Sequence, residues 1–494
     1  VVDLCGVNLA KQMHVGHLRS TVIGDAIARL KERQGHTVIR QSHVGDWGLP
    51  IAMVVEALIA REDAGALDPG SITLDELNAI YRAAQARCRA ERRALELTER
   101  VGGHAKAEAE LALRIEDADG AMERAKARLV ALQSGEARSV AMWRTLYDIT
   151  MSACLATCAR LRADVREAHG AGESTYRDEL APLIEDLVSR GIASEDDGAL
   201  VVRVEGIEEP TLVRKRDGGF LYATTDLAAI RRRVRTLGAD EVVYCVDARQ
   251  SLHFKQVFAA AHKAGYDEKP DGSRATLVHA AFGNVLGEDN TPLKTRSGEH
   301  VKLADLLDEA ERRAREQVDT RSAALPGPER AEIAGAVAMA AVKYADLSTE
   351  RNKDYVFSLD RMLAFEGDTG PYILYAIARI KNLLRKARET GIDPDALGGS
   401  SFSLGETHER RLALLILRYP SVVEAAADHD EPNRLCGQLF ELATQFAKFY
   451  EHCPVLRAGS DDATRLGRLR LAALTLRVLE DGAHALGIPT IERM

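Results

Sequence analysis

The first fifty residues alternate short apolar runs with one long helical period. Val1-Val2-Asp3-Leu4-Cys5 reads as a short buried strand, and residues 6–16 are polar and loop-like. Leu18, Ile23, Ala26, Ile27 and Leu30 then recur at helical spacing over residues 17–33. Gly35 stops that helix, and residues 36–41 read as a second strand. Strand, helix and strand in this order predict a βαβ opening and therefore a parallel sheet. Residues 73–163 are almost uninterrupted helix former, with breaks expected at Gly102-Gly103, Gly120 and Ser134-Gly135, so a helical insertion is predicted. Strand-like runs return at 199–204, 211–214, 241–246 and 275–279, with helices starting near Thr225 and Leu252, and the sheet is expected to resume there. From Leu303 to Met494 the pattern predicts amphipathic helices alone, a loop at 397–405, and a domain boundary between Asp346 and Glu366.

Composition narrows the class. A chain of 494 residues, 46% hydrophobic and 29% charged, predicts two to four domains and excludes collagen-like or wholly disordered chains. Aromatics at 5% in an Ala-, Leu-, Arg- and Glu-rich sequence favour helix over an all-β sandwich. No run of 18 apolar residues occurs and the start lacks a signal pattern, so membrane and secretory readings fall away and a cytoplasmic protein is expected. The chain opens inside a core strand without an initiating Met, which suggests trimming or sequence missing before Val1. The seven cysteines include no paired CxxC; Cys154 and Cys158 share a helix face without a second ligand pair, so neither disulfides nor structural zinc are expected. With 66 basic against 75 acidic residues, a net charge of −9 argues against a protein that simply coats nucleic acid, while leaving room for a local basic surface.

The sharpest motif is His14-Val15-Gly16-His17, placed between the first strand and the first helix. With 14 His and 38 Gly in the chain, about 0.03 such HxGH matches arise by chance. Gly16 lets backbone approach a ligand, while the helix N-terminus and two imidazoles offer donors to phosphate oxygens. The alternative is two unrelated surface histidines beside a turn. HxGH marks nucleotidylyl transfer, in which a nucleophile attacks the α-phosphate of a nucleoside triphosphate and pyrophosphate leaves; it does not name the acceptor.

The stretch from Asn8 through Lys11-Gln12-Met13-His14 to Thr21, followed by Gln41-Ser42-His43-Val44-Gly45-Asp46-Trp47-Gly48, resembles the catalytic opening of class I arginyl-tRNA synthetases. Further blocks in the family's order are Asp217-Gly218-Gly219-Phe220-Leu221-Tyr222 through Asp226, Arg249-Gln250-Ser251-Leu252-His253, Leu293-Lys294-Thr295-Arg296, Val342-Lys343-Tyr344, Glu366-Gly367-Asp368-Thr369-Gly370 and Leu486-Gly487-Ile488. The resemblance runs from Val1 to Met494. It implies a Rossmann-like parallel-sheet catalytic domain at 1–50 and 165–290, a helical insertion at 51–164, a connecting region at 291–360, and an all-α anticodon-binding bundle at 361–494. The implied substrates are ATP with Mg²⁺, L-arginine and tRNA-Arg, and the implied state is a monomer.

By resemblance, Tyr222, Asp226 and Gln250 recognise the arginine side chain, Asp3 is a second acidic partner, and Asn8 lies near the substrate's α-amino or carboxylate end. A carboxylate suits the task because guanidinium is a planar fork of donors. As residues alone, Asp226 and Asp3 also read as a helix-start acid and a strand-end acid. His14, Gly16, His17 and Trp47 are placed at the ATP site, although Trp47 reads equally well as a packing residue. The class usually carries a Lys-Met-Ser-Lys-Ser loop that neutralises the leaving pyrophosphate. Here the matching stretch is Pro292-Leu293-Lys294-Thr295-Arg296, so Lys294 and Arg296 are the loop cations, and Lys11 occupies the place of the family's compensating lysine. Two departures stand out: Cys5-Gly6-Val7 replaces the usual Ser-Ser-Pro, and Leu49-Pro50 replaces Thr-Gln.

In the helical end, Tyr372, Arg379, Phe449 and Tyr450 mix aromatics with cations, which suits unstacked loop bases and phosphates; a basic amphipathic helix with core aromatics is the plainer alternative. Family members usually carry an N-terminal domain that touches the tRNA elbow, and nothing here precedes the catalytic strand, so elbow contacts are either lost or supplied by missing sequence. The function implied is arginine activation and transfer to tRNA-Arg. The alternatives are a paralogue serving a dedicated biosynthetic or resistance pathway, or a non-catalytic tRNA-binding descendant.

Overall fold

The computed structural model describes residues 1–89, 92–216, 218–293, 301–392, 404–456 and 462–494. The predicted opening is present: β1 (Val2–Asp3) pairs in parallel with β2 (Arg40–Gln41), Val2 opposite Arg40, and α1 (Val15–Arg33) connects them. A helical segment follows, comprising α2 (Leu49–Asp63), α3 (Leu74–Arg87), α4 (Arg92–Arg100), α5 (Ala105–Gln133) and α6 (Ala137–Arg160). Thr73 and Glu76 close a reciprocal capping box that starts α3. Gly120 does not break the insertion, contrary to expectation, and sits inside α5. One glycine costs a helix about 1 kcal/mol, and the buried face of Ile115, Ala118, Ala121 and Ala125 offsets it.

After α7 (Arg177–Ser189), the strands β3 (Ala193–Asp196), β4 (Ala199–Val202) and β5 (Thr211–Arg214) form a separate antiparallel sheet. The runs at 199–204 and 211–214 therefore do not resume the parallel sheet. The missed signal is Asp197-Gly198, both at positive φ (50° and 79°), a two-residue hairpin connection that only antiparallel strands can use. Then come α8 (Tyr222–Arg231), which runs into a single π-turn at Arg232–Thr236, β6 (Glu241–Tyr244), α9 (Ser251–Ala264) and β7 (Thr276–His279). The parallel sheet has the order β2-β1-β6-β7.

The remainder is β8 (Val285–Leu286), α10 (Leu303–Arg321), α11 (Gly327–Ser348), β9 (Tyr355–Val356), the short α12 (Leu359–Met362), α13 (Gly370–Glu389), α14 (Thr407–Asp428), α15 (Pro432–His452) and α16 (Asp462–Ala485). β9 pairs with β8 in a region read as wholly helical, because a two-residue strand carries no periodicity of its own. Most of the expected 397–405 loop lies outside the described residues. One apolar core runs from the sheet through α1 and α11 into the C-terminal helices, and a second lies beneath the antiparallel sheet against α7, α8 and α9. Among the described residues no helix is long and apolar enough to cross a membrane.

Candidate active site

The strand order places a topological switch at β1 and β6: the chain leaves β1 toward β2 on one side, and β6 arrives on the other. Open α/β sheets bind ligands at the carboxyl ends of such strands. A cleft of about 630 Å³ lies there, lined by Asp3, Gly6 and Asn8 after β1, by His14, Gly16 and His17 at the start of α1, and by residues 244–247 after β6.

His14 is the N-cap of α1. Its Nδ1 accepts from the Gly16 backbone N–H at 3.0 Å, and His17 Nδ1 accepts from the His14 N–H at 3.0 Å. The ring centroids are 4.0 Å apart. With Nδ1 accepting on both rings, the hydrogen-bond network assigns the proton of each neutral imidazole to Nε2. A Cβ on Gly16 would stand 2.8 Å from His14 Cε1, so a larger residue there would displace the His14 ring. A buried ion pair braces α1 from behind: Arg19 Nε donates to Asp346 Oδ1 at 3.1 Å, and Arg19 Nη1 to the carbonyls of Gly283 and Lys353 at 2.8 and 2.9 Å.

Tyr222, Asp226 and Gln250 converge on the cleft, with Tyr222 66% exposed at its mouth. Tyr222 and Asp226 stand one turn apart on α8, and Asp226 Oδ2 meets His253 Nε2 at 2.6 Å. Asn8 lines the same cleft, and its Oδ1 occupies the space a Cβ on Gly45 would fill. Asp3 is present too, but its carboxylate is already engaged. Arg233, in the π-turn and fully buried, donates from Nη2 to Asp3 Oδ2 at 2.6 Å and from Nε to Gln41 Oε1 at 2.7 Å. Asp3, expected as a second partner for guanidinium, lines the cleft with its Oδ2 already met by a guanidinium of the chain itself.

A further acid of the cleft, which sequence reasoning missed, is Glu173. It is 8% exposed, and burial first, then the charge of Asp46, push its carboxyl up to about 8 against a hydrogen bond from the Trp47 N–H at 3.3 Å. Asp46 is also buried and raised, although the Ser174 N–H and Oγ donate to it at 2.9 and 2.6 Å. The only hint in the sequence was a lone acid after the small residues Gly170-Ala171-Gly172.

Trp47 is half-buried beside the cleft and packs edge-on against Trp143 of α6, centroids 5.9 Å apart. Lys11 Nζ lies 4.7 Å over the Tyr81 ring of α3, outside the lining. Lys294 and Arg296 fall outside the described residues. Divalent magnesium keeps water and substrate phosphates and takes one or two carboxylates. Here Asp3 is held by Arg233, Asp226 by His253 and Asp247 by Arg249, while Glu173 is raised toward neutrality. These described side chains form no ready protein cage, which suits Mg²⁺ carried in on the nucleotide phosphates.

A groove of about 1170 Å³ between α13 and α16 is lined by Arg379, Lys381, Arg385, Arg388 and Arg477, with Glu480 and Glu492 paired to Lys381. Arg379 sits 4.4 Å over the Tyr450 ring. Tyr372 is half-buried, edge-on to Phe440. Phe449 is fully buried, 5.8 Å from Phe446, and its expected place on a tRNA-binding face is corrected: residues three apart on amphipathic α15 share the inner side.

A parallel sheet with its cleft at the switch point and paired imidazoles at the first helix N-terminus defines a class I nucleotidylyl-transferring fold. The family "tRNA synthetases class I (R), catalytic domain" matches residues 1–359, and "DALR anticodon binding domain" matches 373–494. The chain belongs to the arginine family of class I tRNA synthetases. Arginine–tRNA ligases of Cellvibrio japonicus and Shewanella loihica are 41% and 43% identical over 500 and 503 residues, each match covering the whole of this chain and 80% of the relative. The crystal structure of arginyl-tRNA synthetase from Plasmodium falciparum superposes with a TM-score of 0.81 at 26% identity, covering this chain entirely and 76% of the other.

Proposed function

We propose that the chain activates L-arginine with MgATP to give arginyl-adenylate and pyrophosphate, then transfers the arginyl group to the terminal ribose hydroxyl of tRNA-Arg. The observation that supports this best is one cleft holding paired imidazoles at a helix N-terminus together with Asp226, Glu173, Tyr222 and Gln250. In this reading the substrate carboxylate attacks the α-phosphate in line, and the Nε2–H groups of His14 and His17 and the start of α1 meet charge as it builds on the phosphates. Asp226 and Glu173 accept from the guanidinium, whose planar donors match carboxylates. Lys11, Lys294 and Arg296 are assigned to the departing pyrophosphate by resemblance. Catalysis is positioning and electrostatics, without a covalent enzyme intermediate.

The divisions at 1–50 with 165–290, 51–164, 291–360 and 361–494 are the working domain limits. The groove at Arg379, with Tyr450 and half-buried Tyr372, is the proposed tRNA face, and the chain is taken to act as a cytoplasmic monomer. Aminoacylation of tRNA-Arg with arginine, lysine and citrulline tests the reading. Charging with arginine alone is expected, and equal charging with citrulline, the neutral isostere, overturns the acidic pocket.

A further inference from the structure

The cysteines that spacing left without partners meet in space. Cys5 follows β1, and Cys154 and Cys158 lie one turn apart on α6. Cys5 Sγ is 3.8 Å from Cys154 Sγ and 3.4 Å from Cys158 Sγ, and all three sulfurs lie within 4.8 Å of one another. Each residue is at most 3% exposed, inside the main apolar core. Cys5 reaches this position with φ at 55°, a left-handed backbone that L residues avoid and that clusters at functional sites.

Three sulfurs bonded to one ion at about 2.3 Å stand about 3.8–4.0 Å apart in tetrahedral or planar geometry, and closer around a pyramidal centre that carries a lone pair. The two spacings from Cys5 lie within a few tenths of an ångström of that range and the Cys154–Cys158 spacing is within 4.8 Å, whereas a disulfide requires about 2.05 Å. No fourth His, Asp, Glu or Cys joins the group among the described residues, which disfavours zinc, whose structural sites are four-coordinate. Charge decides further. Three thiolates around a divalent ion leave a net negative charge in an apolar core, whereas around a trivalent centre they are neutral, and an uncompensated buried charge is costly.

We propose that Cys5, Cys154 and Cys158 form a three-thiol site for a trivalent thiophilic metalloid, of which arsenic(III) is the simplest probe. Each of the three As–O bonds of arsenous acid breaks as an As–S bond forms, and each thiol proton leaves with the departing hydroxide as water, so no oxidation state changes. The site also ties the end of β1 to the insertion, two residues from Asp3 and three from Asn8, so occupancy is expected to raise the KM for arginine.

The test uses the full chain incubated with sodium arsenite and freed of excess reagent. Elemental mass spectrometry reads the stoichiometry, X-ray absorption the ligand shell, and aminoacylation the KM. One arsenic per chain with three sulfur neighbours is expected. Cys154→Ala and Cys158→Ala should each lose that signature, while Cys88→Ser, on the least buried of the seven cysteines, should keep it. Thermal unfolding of each variant separates loss of the site from loss of the fold, and Cys5→Ser provides a third arm. No retained arsenic, an oxygen-containing shell, or unchanged retention in a folded Cys158→Ala protein overturns the proposal, as does preferential four-coordinate uptake of zinc. Binding that persists when adenylation is absent for other reasons keeps this inference distinguishable from the functional reading.

Discussion

Glu173 carries the most chemical information of any single residue. In the free protein its carboxyl is raised to about 8, so at neutral pH it is mostly protonated. Pairing with guanidinium requires the ionised form, so arginine binding should release a proton at pH 7. Affinity should rise by up to about tenfold per pH unit until pH reaches about 8, then level off. Calorimetric titration in two buffers of different ionisation enthalpy measures that proton. Glu173→Gln should abolish the release and weaken arginine by about 2–5 kcal/mol. The sign for folding is opposite: the native state keeps a proton that the unfolded chain loses above its ordinary value of 4.5, so this group's contribution to stability declines between about pH 4.5 and pH 8. His17 is the matching residue on the phosphate side. His17→Ala should slow adenylate formation about 10²–10³-fold with arginine affinity nearly unchanged, and single-turnover ATP consumption separates the two.

At the scale of elements, α1 depends on the buried Arg19–Asp346 pair, which joins it to α11. Asp346→Asn removes the only carboxylate paired with Arg19 among the described residues while the guanidinium stays buried, and should cost about 3–5 kcal/mol in urea unfolding. The elements also show what sequence could and could not reveal. β1, α1 and β2 were legible because strand, motif, helix and strand are contiguous, and the Tyr222–Asp226 pair because helical spacing alone sets one residue above the other. β4 and β5 were misplaced because apolar runs report strands but not their partners, and β3 was missed because Ala193–Asp196 has no apolar run; the Asp197-Gly198 turn held that information. Two features of the cleft are encoded by no local pattern: the π-turn brings Arg233 onto Asp3 from 230 positions away, and Glu173 is buried beside Asp46. Phe449 followed the plainer alternative, core packing. Cys5, Cys154 and Cys158 were invisible as a group because 149 positions separate the first two.

Across the whole molecule, the cleft at the sheet and the basic groove at α13 and α16 are separate surfaces of one chain. Arg379→Ala should weaken tRNA by removing a phosphate contact, lowering the slope of log affinity against log salt by about 0.7–0.9, with the KM for arginine unchanged. Tyr450→Ala should weaken tRNA with little change in slope, since stacking is not counterion release. Binding isotherms over a salt series distinguish the two.

Helix α1 bears on both surfaces. Its first turn carries His14 and His17, and its last turn is clamped to the C-terminal helices, Lys31 to Asp430 at 3.1 Å and Arg33 to Asp481 at 3.1 Å. Nineteen residues of unbroken helix make a strut about 28 Å long. A strut fixed at both ends transmits pose rather than chemistry. The distance from the bundle to the imidazoles is set by hydrogen-bonded backbone and not by a loop.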